Sequence, residues 1–501
     1  MIITADDYVS SSQGRECVCS FDANADYFPI KVSPQRSTLW SVTYHKSYKV
    51  VENKADKTSY VAYLCGTPVP QLTGTLEGAK LVEIPIKTAA VLPSVIVPFV
   101  EYIGRRESIV YTGTQNIQSN CIAKLTQDSK IEALSLYGTG FSVLAASPPD
   151  AVFCDTGDWG SCKSGQGSGL LDNVTTISVA QHLESSLFGD VEWVEYLSLF
   201  YNREKAAKDV VDNIEARFEC EKKKVTEVAG NKVKVCWANY YPNKHVDGNA
   251  SWSVGADCSV SDAAWYCPIA EAAGIEVIGR QQYSPTKSGH PYKYLTDEEF
   301  ASGPCKDADM WFYPASNFLE TDHYGTTAAI ADKLDVLKRI SAYNAGNVFD
   351  NMANGPYDWF ESRIAEPDVL LMDFIKAFRP DVALDHKRVW LRKVLGTVEA
   401  VGKAGDASKC VDPSANLFTK WTTGGCAGEG NMMVIGGLKL PGKFVETKDC
   451  GMSAAEDAST TQASATRKDV AKLNPAATTG TSVAAMCAAL ATVMVVINGM
   501  I

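Results

Sequence analysis

Two hydrophobic periods divide the chain. In TLWSVTYHKSYKVV (38–51) and SYVAYLC (59–65), aromatic and β-branched residues alternate with polar ones, the period of two that marks half-buried strands. LVEIPIKTAAVLP then predicts a strand at about 88–92 that stops at Pro93. SVIVPFVEYIG predicts a short helix closed by Gly104, and SIVYTG another strand. IEALSLYGTGFSVLAASPPDAVFCDTG continues as loop, helix and the strand AVFCD. Strands and helices in alternation imply a mostly parallel sheet.

The period changes to that of a helix over 189–224, with apolar residues at Trp193, Leu197, Phe200, Ala207, Val210, Val211, Ile214 and Phe218. Asn202 is the expected internal restart cap. A second strand–helix rhythm starts at KVKVCWANYY (232–241). It runs through the helix SDAAWYCPIAEAAG, the strand IEVIG, the helix TDEEFAS, the strand MWFYP, the helix TAAIADKLDVLKRI and the strand GNVFDN. The organisation expected is an N-terminal extension with strands (1–80), an α/β lobe (81–188), a connecting helix (189–224) and a second α/β lobe (232–394). A Gly- and Cys-rich appendix held by disulfides (395–450) and a Ser/Thr/Ala-rich stalk (451–481) follow.

The final segment, SVAAMCAALATVMVVINGMI (482–501), carries no charge and has the length of a membrane span. With the polar stalk before it and no basic cluster after it, it matches a GPI-attachment signal, a plain membrane anchor being the alternative. The chain has fifteen cysteines among 501 residues, with no CxxC pair at zinc spacing. Disulfides in an oxidising compartment are therefore expected, on the extracellular face of the plasma membrane. The sequons at Asn173 and Asn249 agree with that location. The opening MIITADDYVSSSQ has neither the basic nor the apolar region of a secretion signal, so a leader outside this sequence is expected. Net charge is −12 without a Lys/Arg-rich run, so nucleic acid is not an expected partner. The six histidines are scattered and none lies in HExxH, which argues against direct binding of a bare metal ion.

Several segments carry a family resemblance: YHKSYKVV, EIPIKTAAVLPSVIVPFVEYIG, PPDAVF, VEWVEYLSLFYNREKAAKDVVDNIEARF and YDWFESRIAEPDVLLMDFIKAFRPD. In order and spacing, over roughly 40 to 395, they resemble the helical-backbone class of periplasmic substrate-binding proteins for cobalamin and ferric siderophores. The anchored, cysteine-rich form also looks like the eukaryotic, algal members, which comprise cobalamin acquisition and ferrichrome-type iron-binding proteins. The resemblance implies an α/β fold of two Rossmann-like lobes with parallel sheets, joined by a long rigid helix, with a ligand cleft between them and little hinge motion. It implies a binding protein, not an enzyme, with no resident cofactor, that hands its ligand to a transporter or an endocytic receptor.

In such a fold the binding groups sit on loops at the carboxyl ends of the strands. The first lobe offers Ser94 after Pro93, then Tyr137, Thr139 and Phe141 in a Gly-framed loop, and Trp159 after AVFCD. The second lobe offers Tyr240 and Tyr241, Trp252 with Ser253, and Ser316 with Asn317. NGPYDWFE (354–361) adds Tyr357, Asp358 and Trp359, where rings can stack on a ligand and a carboxylate can orient it. The structural alternatives are a core position for Trp359, a turn-capping role for Asp358 and a helix N-terminal charge for Glu361. An anionic chelate calls for Arg or Lys at the mouth. These loops are nearly devoid of Arg, which favours a neutral, amide-fringed corrinoid, cobalamin, with a ferric hydroxamate such as ferrichrome as the alternative. Two other classes stay open. Cys154 and Cys236 at strand ends would suit a metal-cluster enzyme, and an adhesion or structural protein would have lost its ligand.

Overall fold

The computed structural model describes residues 8–10, 16–136, 139–157, 160–163, 169, 171–228, 230–246, 249–260, 265–283, 293–314, 326–382, 386–402, 405–410 and 412–414. A short antiparallel pair, β1 (Tyr8–Ser10) and β2 (Glu16–Val18), opens the chain. A four-stranded sheet follows: β3 (Trp40–Tyr44), β4 (Tyr48–Asn53), β5 (Thr58–Leu64) and β6 (Lys80–Ile84), in that order. Burial along β4 alternates strictly, as the period of two requires. β6 pairs parallel to β5 and carries this sheet past the expected boundary at residue 80.

The first lobe is an all-parallel sheet. Its strands are β7 (Ala89–Val91), β8 (Ile109–Thr112), β9 (Glu132–Ala133), β10 (Ala151–Asp155) and β11 (Thr176–Val179), in the order β11-β10-β7-β8-β9. The intervening helices include α1 (Val97–Tyr102), α2 (Asn120–Gln127) and α3 (Gly140–Ala146). β7 is buried at every position, because apolar clusters cover both faces of a parallel sheet.

The connector is not one helix. Residues 187–227 form α4 (Leu187–Val191), α5 (Trp193–Ser198) and α6 (Glu204–Glu227). Between α5 and α6, Asn202 takes a left-handed conformation with φ of 54°, which asparagine tolerates better than most side chains. Arg203, not Asn202, precedes the first turn of α6, and its side chain makes no capping bond. The break belongs to Lys49 of β4, whose buried ammonium donates to the Leu199 carbonyl at 2.9 Å and the Asn202 amide oxygen at 3.4 Å, and pairs with Glu204. α6 itself has 24 residues, about 36 Å at 1.5 Å per residue. Ala207, Val210, Val211 and Ile214 pack into the first lobe's core, and Phe218 and Val225 into the second's.

The second lobe is built on β12 (Val233–Val246). The first part of β12 runs parallel to β14 (Ile275–Ile278) and β16 (Met310–Tyr313), and β16 runs parallel to β17 (Val348–Asp350). β18 (Arg392–Lys393) closes that edge antiparallel. β12 does not end at Tyr241 as its apolar run suggests. It continues, with an irregular register after Tyr241, as an antiparallel partner of β13 (Asn249–Val254), which pairs in turn with β15 (Lys293–Leu295). Helices include α7 (Cys267–Ala272), α8 (Asp297–Ser302) with a Thr296/Glu299 capping box, α9 (Thr326–Asp332), α10 (Leu334–Leu337), α11 (Ser341–Asn344) and α12 (Pro367–Phe378). The stretch read as one helix from 327 to 340 is thus α9 and α10. Met310 and Phe312 face one core, Trp311 and Tyr313 the other.

All twelve described cysteines are disulfide-bonded, including Cys17–Cys65, Cys121–Cys410, Cys154–Cys162, Cys236–Cys305 and Cys258–Cys267. The stalk and the apolar terminal segment lie outside the described residues. Among the described residues no helix is long and apolar enough to cross a membrane.

Candidate functional site

Parallel strands leave their sheet at one edge, so each lobe gathers its exit loops on one side. The exits of the two lobes meet. The loop leaving β8 presents the Gln118 amide, which donates to the Glu361 carboxylate, beyond β17, at 2.8 Å. The α1 hydroxyl of Tyr102 donates to Glu366, which precedes α12. From α4, Leu187 packs into the second lobe's core, and the charge of Arg363 opposes the rise that burial imposes on the Asp190 carboxyl. Glu361 is fully enclosed. Burial first, and the charge of Asp358 next, push its carboxyl well above the usual range, while the Gln118 and Ser119 amides oppose the shift. Its oxygen accepts from the backbone just ahead of α2 in the opposite lobe, not from a helix of its own.

Two glycines allow the exits to pass close to their neighbours. A Cβ at Gly113 would sit 2.2 Å from the Leu92 carbonyl, so the β8 exit lies directly on that of β7. A Cβ at Gly279, leaving β14, would sit 2.0 Å from the Asp257 nitrogen. The Cys154–Cys162 bond pins the β10 exit, where Asp155 accepts from the Ser161 amide at 3.3 Å and Thr156 donates to Asp56 at 3.2 Å.

The residues singled out from sequence separate into three groups. Ser94 and Tyr357 are half-buried on the exits of β7 and β17, and Thr139 is exposed ahead of α3. Ser253 is half-buried inside β13, opposite Asn239, and is not in a loop. Tyr137, Trp159, Ser316 and Asn317 lie outside the described residues, and Tyr241 is placed in β12 by its backbone alone.

The third group belongs to the interior. Phe141 packs beside Leu134 and Leu144 against the first sheet. Tyr240 is a buried strand residue whose ring lies 5.2 Å from Trp252. Trp252 is 0% exposed, stacks on Phe300 at 4.0 Å and donates its indole N–H to Asp297 at 2.9 Å. Trp359 is 2% exposed and packs on Phe312, with the Arg363 guanidinium 4.9 Å from its ring. Asp358 accepts from Asn354, from Ser362 at 2.7 Å and from the Trp390 indole at 2.9 Å, so it ties its own turn to the core. These five present no free face to a ligand. Asn173 is exposed between β10 and β11, and Asn249 opens β13.

A groove of about 770 Å³ lies at the α4 end of the junction. Ser185–Phe188 form one wall, and the Cys258–Cys267 region with Ile275–Val277 of β14 the other. None of the residues named from sequence lines it. β14 carries the signal: Glu276 is exposed between buried Ile275 and Val277, as at a sheet edge. Among the described exit residues the cations are Lys163 after β10, Arg280 after β14 and Arg363 after β17; many of the others are neutral amides, hydroxyls and glycines, such as Thr114, Asn116, Gln181 and Gln281. His182 leaves β11, and burial pushes its imidazole below the usual value. Cys154 and Cys236 are bonded to Cys162 and Cys305, so neither is a thiolate available to a metal cluster. Among the described residues no group of three His, Cys, Asp or Glu is placed to hold a metal ion.

No protein-family model matches the chain, and no curated protein matches it. Among solved structures, it is similar to a periplasmic solute binding protein from Veillonella parvula, with TM-score 0.42 and 14% identity, over 60% of this chain and 83% of that one. It is similar to a periplasmic heme binding protein from Pseudomonas aeruginosa, with TM-score 0.43 and 12% identity, over 63% and 100%. It is also similar to the periplasmic heme binding protein HutB of Vibrio cholerae, with TM-score 0.40 and 12% identity, over 57% and 98%.

Proposed function

We propose that the protein is a cell-surface substrate-binding protein that captures a large metal-containing ligand between its lobes, with cobalamin the favoured ligand. The observation that carries this reading is the junction itself. The parallel strands of both lobes turn their carboxyl ends toward each other, and the described exits offer many amides and hydroxyls and few cations, Lys163, Arg280 and Arg363. Neutral donors and acceptors suit a ligand fringed with amides, whereas carboxylate-bearing chelates are held by guanidinium forks. A neutral ferric hydroxamate meets the same groups, and that is the second reading. Function by binding alone accords with the disulfide bonding of Cys154 and Cys236, which removes the metal-cluster alternative argued from them.

The location proposed is the outer face of the plasma membrane. It is supported by twelve bonded cysteines and an exposed sequon at Asn173. Attachment through 482–501 and hand-over to a transporter or endocytic receptor are proposed from the sequence.

Titration calorimetry on the oxidised protein tests the reading, with cyanocobalamin, ferrichrome and hemin in separate runs. Cobalamin is expected to bind and hemin, with its two propionates, to bind at least a hundredfold more weakly. Binding of ferrichrome alone would keep the capture role and replace the ligand. Silence toward all three by folded protein would remove the capture role.

A further inference from the structure

We propose that the described residues between β18 and Cys410 act as a strap, latched by Cys121–Cys410, that ties the two lobes together at the β8/β17 end of their junction. It starts on the second lobe. The Glu399 amide donates to the Lys393 carbonyl at 3.0 Å, and Leu395 and Val401 pack against that lobe's core. The Gly402 amide donates to the Met352 carbonyl at 3.1 Å, and a Cβ there would sit 1.9 Å from the Ala353 carbonyl oxygen.

Three positions later the same chain is on the first lobe. The Gly405 amide donates to the Gln118 carbonyl at 2.8 Å, and a Cβ would meet the Ile117 carbonyl oxygen at 2.8 Å. Gly405 also has φ of +67°, so space and conformation both call for glycine. The Asp406 amide then donates to Asn120 at 2.9 Å, Cys410 is bonded to Cys121 of α2, and Arg106 donates to the Pro413 carbonyl at 2.7 Å.

Met352 and Ala353 leave β17, and Ile117 and Gln118 leave β8. The strap therefore crosses the junction where the Gln118–Glu361 bond already crosses it. α6 is one covalent tie between the lobes and the strap is a second. Two ties at separate places remove the rotation that a single connector leaves free.

Hydrogen exchange by mass spectrometry on the full oxidised chain tests this, without any ligand, and so independently of the capture reading. Three variants are compared with the parent: Cys121→Ser with Cys410→Ser, Gly402→Val, and Gly405→Val with the disulfide intact. Peptides covering 117–120 and 352–361 are expected to exchange at least tenfold faster in each, while peptides across β7 and β16 keep their rate. Unchanged exchange at 117–120 and 352–361 in all three would overturn the proposal. Equal acceleration across β7 and β16 in the glycine variants would overturn it too, since the segment would then support the fold as a whole and not the junction. The glycine variants carry the test if the serine pair does not fold.

Discussion

Trp252 and Tyr357 were equivalent candidates as letters in a sequence, and their surroundings make them opposites. Trp252→Ala removes a stacked, hydrogen-bonded core ring and is expected to cost about 3–5 kcal/mol of stability. Denaturant midpoints should show that loss, with ligand affinity unchanged in the protein that remains folded. Tyr357→Ala should do the reverse, lowering affinity by about 2 kcal/mol in the calorimeter with the midpoint held. Aromatic type was legible along the chain, but burial was not, because a core and a cleft both recruit rings. What separates them is Phe300 beneath Trp252 and Phe312 beside Trp359, both distant in sequence. Glu195 gives a prediction in pH. Burial first, then the charge of Glu192, pushes its carboxyl from 4.5 up to about 8. The folded state holds that proton more tightly than the unfolded one. The associated stability is full below pH 4.5 and is lost as pH rises to about 8. Asp190 and Glu361 shift the same way, so thermal midpoints should fall over this range in the parent. In Glu195→Gln the fall should be shallower, and an equal fall would clear Glu195 of the effect.

Among the elements, the connector departs furthest from its pattern. Its apolar spacing continues across the break, and Trp193 and Phe200 are buried as a continuous helix would bury them. The interruption comes from Lys49, 150 residues away from the Leu199 carbonyl it binds. No local period reports such a partner. Lys49→Ala would leave Glu204 enclosed without its cation, at an expected cost of about 3–5 kcal/mol. Adding Glu204→Leu to Lys49→Met should recover most of that, and chemical denaturation of the two variants checks it. The strand–helix rhythm was legible for a related reason. β7, β10 and β16 are buried on both faces, so their apolar runs are unbroken and easily seen. β9 and β11, short or bounded by glycine-rich sequence, gave no such run, and the extension of β12 into a hairpin depends on pairing with β13.

At the scale of the molecule, the two lobes and their order follow from the rhythm, but the return of the segment after β18 to α2 does not. An even number of cysteines outside the apolar tail says only that pairing is possible. The Cys121–Cys410 bond closes a loop of 289 residues, and removing it is expected to cost about 5 kcal/mol on a chain-entropy argument. Thermal unfolding of the double serine variant measures it. The same separation orders the protein's manufacture. Cys154–Cys162 and Cys258–Cys267 span 8 and 9 residues and can close as soon as they emerge. Cys121 must wait for the whole second lobe, roughly 15–60 s at ordinary rates of synthesis. Cys154, Cys162, Cys220 and Cys236 all appear in that interval, each a wrong partner within reach. Yield of correctly joined protein should therefore follow the supply of disulfide isomerase in the producing cell, and an oxidant alone will trap Cys121 with a neighbour.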